Sequence, residues 1–336
     1  MNVSIIIINY KSAKLVMDCV ESIYRQTNQY SFEIIIVDND SKDDCEEKVM
    51  AAFPTTRWLQ TGYNAGFARA NNAGIRIANG EYVLILNADT IITNGAIDKS
   101  LALIKQEADA VGCGVQLLNT DGSNQISGAH FVKGGLNTLL PLPYLGKLIR
   151  YFGYRFKSAI PSVQTINDKI EVDWIVGAYI LVKKEALQKS GLMDEDFFMY
   201  AEEIEWCGRL RKQGKLYLFA EPKVIHIGGG TSNDYYTTTE NENSKNLWNK
   251  KGRQIMVSNM LRIRKQFGIG WFLLIAGIYV FEIPVFFFGL LVDKLFNGGK
   301  SSFSWTNVID YAKNIGVLLR YFFTMLLNKP FFYKVA

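Results

Sequence analysis

The chain has 336 residues, 49% of them hydrophobic and 21% charged, with a net charge of +5. That length and apolar content suit one large domain or two modest ones, and they exclude a disordered or low-complexity chain. Four scattered cysteines (Cys19, Cys45, Cys113, Cys207), with no C-x-x-C pair and no metal-ligand spacing, exclude a disulfide scaffold or zinc ribbon and fit a reducing compartment.

The first residues carry no basic n-region or cleavage signal and lead directly into Val3–Ile8, a β-branched run expected of a strand buried on both faces. Ser12 is placed to cap a helix reaching about Gln26, with apolar residues at helical spacing. Phe32–Val37 repeats the buried-strand pattern, and Lys42–Phe53 reads as a second helix. Arg57–Gln60, Glu81–Leu86 and Ala108–Leu117 read as further strands, with helices over Ala65–Ala78 and Asn94–Lys105 between them. Strands separated by helices of this length predict an α/β fold, an open and mostly parallel sheet flanked by helices.

Asn119–Gly122 signals a hairpin turn. Leu139–Lys157 mixes leucines, aromatics and cations around Pro141 and Pro143, as a loop facing an acceptor or a membrane would; a packed excursion is the plainer alternative. Glu171–Val182 reads as one strand, Lys183–Lys189 and Ala201–Gln213 as helices, and Leu216–Phe219 and Lys223–Ile227 as closing strands. Seven basic and no acidic residues then lie between Lys245 and Lys265, and 12 of the 21 phenylalanines lie from Phe267 onward. A basic collar beside an apolar tail points to a membrane surface, and no nucleic-acid motif accompanies it.

In open α/β sheets ligands bind beyond the carboxyl ends of the strands. Three polar clusters fall there: Asn9-Tyr10-Lys11, Asp38-Asn39-Asp40-Ser41 and Asn87-Ala88-Asp89-Thr90. Single clusters of this kind often only cap helices and form turns. Three on one edge predict a site. No G-x-G-x-x-G follows the first strand and no P-loop string occurs, which argues against a dinucleotide oxidoreductase or a P-loop enzyme.

The openings Val3–Tyr10 and Val37–Ser41, together with Gly62–Asn72, Leu86–Thr90, Asp173–Ala178 and Phe197–Trp206, follow one another in an order that resembles the family 2 glycosyltransferases of GT-A fold. The likeness is greatest to bacterial rhamnosyltransferase-like members and covers about residues 3–265. It implies sugar transfer from a nucleotide-sugar donor, usually with inversion and a divalent metal, Mn2+ or Mg2+. On this resemblance Asp38 reads the pyrimidine base and Asn9 lies beside it. Asn64, Gly66 and Asn71 belong to the turn and helix start along the nucleotide, where glycines and a helix N-terminus favour a diphosphate.

Asn87-Ala88-Asp89 stands where the family carries an Asp-x-Asp metal motif. Asp89 is then the metal ligand, and Asn87, an amide in place of the first carboxylate, meets the sugar or a coordinated water. His226 matches the family histidine that supplies a further ligand, a role that suits Mn2+. Glu202, Glu203 and Glu205 open a helix after an aromatic run, where the helix dipole alone favours acids. Their crowding also suits a general base. By the family pattern the base is Glu203, with Glu202 the alternative, while Trp174, Gly177 and Glu205 fall on the acceptor side. A glycosidase pair of carboxylates is the competing chemistry, but hydrolysis needs neither nucleotide cleft nor metal motif. No Gln-x-x-Arg-Trp string of processive synthases is present.

The resemblance further implies a donor of dTDP-L-rhamnose, or else a UDP-hexose, and a lipid-linked saccharide acceptor in bacterial surface polysaccharide synthesis. A membrane-tethered nucleotide-sugar binder without catalysis is the non-enzymatic alternative, motivated by Asn87. The expected organisation is a catalytic domain over 1–240 (nucleotide half about 1–117, acceptor half about 118–240), a basic collar over 241–266 and a membrane-associated helical tail over 267–336. Between Phe267 and Val292 the only charged residue is Glu282, and about 26 helical residues would reach about 39 Å. Glu282 and Pro284 near its middle predict a kinked or re-entrant hairpin, with Ile315–Tyr333 in the interface; a single span and a hairpin folded on the catalytic domain are the alternatives. The collar is expected to face anionic membrane lipid at the bacterial cytoplasmic membrane, with the catalytic domain on the cytoplasmic side.

Overall fold

A computed structural model describes residues 1–155, 161–228, 246–296 and 299–335. The expectations resting on Lys157, on residues 229–231 and on Lys245 lie outside these. The chain forms two compact units. The first comprises Met1–Phe131, Pro161–Phe198 and Glu202–Tyr235, and the second Val132–Ile160, Met199–Ala201 and Tyr236–Ala336. Val132–Ile160, expected within the acceptor half, groups in the second unit with the tail residues.

The first unit is built on a nine-stranded sheet. Its amino-terminal strands are β1 (Val3–Asn9), β2 (Phe32–Asp38), β3 (Arg57–Gln60), β4 (Tyr82–Leu86), β5 (Thr90–Ile92) and β6 (Ala110–Leu118). After β7 (Gly128–Ala129) and β8 (Ser162–Val163) come β9 (Lys169–Val172), β10 (Trp174–Ile175), β11 (Tyr179–Lys183) and β12 (Lys215–His226). The order is β3-β2-β1-β4-β11-β6-β12-β5, with β9 also on β12, while β10, β7 and β8 form a small second sheet. Neighbours from β3 to β4 are parallel, as are β6 and β12; β11, β5 and β9 run antiparallel to their partners.

Helices α1 (Ala13–Gln26), α2 (Cys45–Ala52), α3 (Gly66–Arg76) and α4 (Ala96–Gln106) connect the amino-terminal strands. The alternation inside β1 explains the layering. Ile5 and Ile7 join the core with Val16, Val20 and Leu101, while Ile6 joins the opposite one with Ala68 and Ile75. Both faces of the sheet are covered, as the continuous apolar strands require.

Two strand assignments need correction. The run 171–182 is not one strand: Asp173 and Gly177 break it into β9, β10 and β11, which lie in two sheets. The two closing strands are one, β12, with a register shift between Phe219 and Lys223.

The second unit is helical: α5 (Leu145–Arg155), then, after α6 (Lys184–Ser190) and α7 (Glu202–Leu210) of the first unit, α8 (Lys250–Phe267), α9 (Ile269–Phe296), α10 (Trp305–Arg320) and α11 (Phe322–Leu326). The expected hairpin over 267–292 is absent. α9 runs unbroken for 28 residues through Pro284 and is long and apolar enough to cross a membrane. Glu282 does not interrupt it. The Glu282 carboxylate is fully buried and accepts from the Tyr144 and Leu145 N–H groups at 2.7 and 3.2 Å, capping α5.

Candidate functional site

The last register pair of β1 and β2 is Asn9 with Asp38, so both side chains leave the sheet at neighbouring carboxyl ends. Asn9 Nδ2 donates to Asp38 Oδ1 at 2.7 Å and to Ser41 Oγ at 3.0 Å, while its Oδ1 accepts from the Ser12 N–H. Ser12 therefore serves the strand end and makes no side-chain cap on α1. Both Asn9 and Asp38 are buried, and the Ser41 N–H holds Asp38 Oδ2 at 3.0 Å. An acceptor-rich, pre-set carboxylate of this kind can read the donor edge of a base.

Asn39 builds the next part. Its Nδ2 donates to the Gly66 carbonyl at 3.0 Å and its Oδ1 accepts from the Ala65 N–H at 3.0 Å. Asn64 Oδ1 accepts from the Gly66 N–H at 3.1 Å, completing a turn into α3. Gly66 has φ +74°, and a Cβ there would sit 2.1 Å from the Phe198 carbonyl oxygen. That same oxygen accepts from the Phe67 N–H at 2.8 Å. The start of α3 is thus tied to the segment that precedes α7.

Asn71 is fully buried in α3, its Nδ2 donating back to the Phe67 carbonyl at 3.0 Å and its Oδ1 left without a hydrogen-bond partner among the described residues. Asn72 anchors the loop before α7 through both Met193 backbone groups and Glu195. Glu195 is held below the ordinary glutamate range: burial opposes this, but hydrogen bonds from Asn72 and Arg76 outweigh it.

β12 is antiparallel to β5 with His226 opposite Thr90, which brings the end of β12 to the Asn87–Thr90 turn. His226 Nε2 lies 3.4 Å from Asp89 Oδ1, and the Ile227 N–H donates to the Asp89 carbonyl at 2.9 Å. Asn87 is bound through its backbone, its N–H to Ala178 and its carbonyl to Thr90. Beneath the turn lies Cys19, whose thiol burial pushes up to about 12, so it stays neutral.

Sequence reasoning missed Gln125. Its Nε2 donates to Asn119 Oδ1 and to the His226 carbonyl, at 2.7 and 2.6 Å. Its Oε1 is therefore the atom facing His226 Nδ1 at 2.9 Å. The imidazole then donates from Nδ1, and in its neutral form turns the Nε2 lone pair toward Asp89. A buried carboxylate and an imidazole lone pair facing each other are a donor set that a divalent cation fits between. Among the described residues no third His, Cys, Asp or Glu joins them.

α7 presents Glu202, Glu203 and Glu205 in its first turn. Glu203 comes close to Gly177: a Cβ on Gly177 would lie 3.8 Å from Glu203 Cγ and 3.5 Å from the Phe67 ring. Glu202 is buried. Glu205 is committed elsewhere, to Arg209 through Nε at 2.8 Å and NH2 at 2.8 Å, while Arg209 also holds the Ser190 carbonyl. This pair ties Glu205 to the next turn of α7. Trp174 sits in the small sheet opposite Ala129.

Backbone strain concentrates around these residues. Non-glycine residues with positive φ include Lys11, Asp40 and Lys42 in the loops after β1 and β2, and Tyr200 and Ala201 at the entrance to α7. Such conformations each cost about 1 kcal/mol or more and persist where the surroundings fix them, commonly at functional sites.

The family model described as Glycosyl transferase family 2 matches residues 4–189. Among curated proteins, the Low-salt glycan biosynthesis hexosyltransferase Agl10 of Haloferax volcanii is 28% identical over 63% of this chain and 62% of its own length. The N-acetylglucosaminyl-diphospho-decaprenol L-rhamnosyltransferase of Mycobacterium tuberculosis is 26% identical over 57% of this chain and 66% of its own. The chain thus spans less than two thirds of both. Rhamnosyltransferase WbbL of Escherichia coli is 24% identical over 76% of this chain and 95% of its own.

Solved structures share the fold at low identity. GalNAc-T7 with UDP, GalNAc and Mn2+ gives a TM-score of 0.52 at 15% identity over 77% of this chain and 47% of its own. The mannosyltransferase PcManGT of Pyrobaculum calidifontis with GDP-Man and Mn2+ gives 0.51 at 14% over 97% and 84%. The fold is of the GT-A type.

Proposed function

The chain belongs to glycosyl transferase family 2, and on that premise we propose that it moves a sugar from a nucleotide-sugar donor to a hydroxyl of a lipid-linked glycan, by one displacement with inversion. The observation that carries this reading is the meeting of Asp89 with His226 at 3.4 Å on the strand-end edge where Asn9 holds Asp38. β12 is parallel to β6, and β6 and β4 share the antiparallel neighbour β11, so all these carboxyl ends point one way.

In this reading Asp38 recognises the base, and the Asn64–Gly66 turn accommodates the donor phosphates at the start of α3. Asp89 and His226 would hold a divalent cation, Mn2+ or Mg2+, which when bound supplies positive charge to the departing diphosphate. Glu203, whose side chain lies near Gly177 and the Phe67 ring, takes the proton from the acceptor hydroxyl as it attacks the anomeric carbon; Glu202, being buried, is the less suited of the two. Trp174 and Gly177 border the acceptor side. Asn87 contacts the sugar or a coordinated water.

L-rhamnose from dTDP-rhamnose is the first choice of donor, supported by the rhamnosyltransferases among the relatives; a UDP-hexose is the second. The acceptor class rests on the mycobacterial relative, whose name specifies a polyprenyl-diphosphate sugar. The proposed location is the bacterial cytoplasmic membrane, with catalysis on the cytoplasmic side, in surface polysaccharide synthesis.

The test is thermal stabilisation by dTDP, UDP and GDP with Mn2+, followed by transfer from labelled dTDP-rhamnose to lipid-linked saccharide. The reading expects dTDP to stabilise most and label to enter the lipid fraction. Stabilisation without transfer from any donor would leave a nucleotide-sugar binder; no stabilisation by any nucleotide would refute the site.

A further inference from the structure

The helical unit carries a charge that the whole-chain average hides. Residues 132–160, 199–201 and 236–336 contain 18 Lys and Arg against five acids, Glu240, Glu242, Glu282, Asp293 and Asp310; the rest of the chain holds 19 against 27. Within this unit one face of α9 is covered along its length. Phe272, Ile275, Tyr279, Glu282, Phe286 and Leu290 are buried. Tyr279 OH donates to the Thr138 carbonyl at 2.7 Å and Tyr311 OH to the Tyr279 carbonyl at 2.8 Å. The opposite face is bare. Leu274, Phe281, Phe288 and Leu295, spaced by seven residues, are 49%, 60%, 61% and 70% exposed.

What packs on the covered face decides how this helix can meet lipid. α10 runs back beside it, from Trp305 against Phe287 (5.2 Å between rings) to Phe322, just past its end, against Phe272 (5.2 Å). α10 exposes Lys313 and Arg320, and carries the half-buried Asp310 paired with Lys313 at 2.9 Å. Were α9 to cross a bilayer, α10 would be carried across with it, and these charges would enter the hydrocarbon. The bare row, about 32 Å from Leu274 to Leu295 at 1.5 Å per residue, lies along the helix and so can enter one leaflet only if the helix lies flat.

We propose that α9 lies in the plane of a single anionic leaflet, with Leu274, Phe281, Phe288 and Leu295 in the acyl boundary and the surplus cations of the helical unit drawn to lipid phosphates. This deepens the membrane location proposed above: it names the occupant of the bare face as anionic lipid and replaces both a span and a re-entrant hairpin by a flat keel. The buried Glu282 cap is part of the device, since it fastens α5 to the covered face and so fixes which face remains for lipid.

The experiment uses the full chain. The four native cysteines are free and buried, so Leu274→Cys, Phe281→Cys, Phe288→Cys and Leu295→Cys can each be labelled selectively with a polarity-sensitive fluorophore. On vesicles of phosphatidylcholine with one quarter phosphatidylglycerol, quenching by shallow and deep nitroxide lipids should report one common depth at all four positions. A graded profile, deepest at Phe281 and Phe288 and shallow at the ends, would overturn the flat orientation in favour of a span. Flotation of the wild type should be at least tenfold stronger with the anionic vesicles than with phosphatidylcholine alone; equal binding would overturn the anionic part. Failure to bind any vesicle would overturn the membrane location as well. Stabilisation by dTDP, read on the same preparation without vesicles, reports the sugar-transfer site separately.

Discussion

Gly66→Ala tests the joint between the nucleotide turn and the catalytic helix. Two costs can be worked from the geometry. A residue with a Cβ at φ +74° pays about 1 kcal/mol for the left-handed conformation. The new Cβ would also lie 2.1 Å from the Phe198 carbonyl oxygen, a backbone atom that cannot rotate away. Relief requires the strand of chain before α7 to retreat, losing the Phe67 N–H bond to Phe198 at 2.8 Å and its roughly 1 kcal/mol. The sum is about 2–4 kcal/mol with some unpaired amide. Gly62→Ala supplies the control: φ is +75°, yet nothing lies within 4 Å of its Cβ, so only about 1 kcal/mol is expected. Urea denaturation of both variants, with nucleotide stabilisation as a second readout, separates conformation from collision. Equal losses in the two variants would refute the argument that the Phe198 contact sets the joint.

Glu203→Gln should preserve nucleotide stabilisation while kcat falls at least about a hundredfold, because the near-isosteric amide cannot accept a proton; near-normal turnover, with Glu202→Gln inactive, would move the base one residue upstream. Asp89→Ala or His226→Ala should abolish Mn2+-dependent stabilisation by nucleotide and cost about a hundredfold in turnover, and full wild-type activity in EDTA would sink the metal assignment. Gln125→Leu should weaken Mn2+ affinity about ten- to hundredfold, read by electron paramagnetic resonance titration, since it frees the imidazole that Gln125 orients; unchanged affinity would deny it that role. Folding depresses the Glu195 carboxyl, so its contribution to stability is present above the unfolded value of about 4.3 and is lost as pH falls through the lower folded value. Glu195→Gln should therefore flatten the acid limb of the stability profile below about pH 4.5, measured by thermal melts; an unchanged limb would show that this carboxyl is not linked to folding.

What the sequence made legible follows from how local each signal is. Val3–Ile8 and Phe32–Val37 declare buried parallel strands because both faces of such a sheet are covered, and Asn9 and Asp38 follow because strand-end position can be counted along the chain. Gln125 could not be found that way. It meets His226 across 101 residues, from a loop with no periodicity, and only the folded register brings the two together. Asn71 and Glu205 have partners that their motif strings do not announce: Asn71 is buried in α3 and donates to the Phe67 carbonyl, and i,i+4 spacing pairs Glu205 with Arg209. The tail carries the argument furthest. Hydropathy registers how apolar 267–292 is, but not which of its faces the rest of the chain will cover. Read in isolation, Glu282 is a cost that ought to break or bend an apolar helix. Once α5 brings the Tyr144 and Leu145 amides to it, the same carboxylate is a cap: two hydrogen bonds offset part of the cost of burying it, although burial still pushes the carboxyl above the usual glutamate range. A charge that is satisfied from one side can be tolerated only while that side remains against protein, so Glu282 itself argues that α9 keeps one face on its own chain wherever the other face goes.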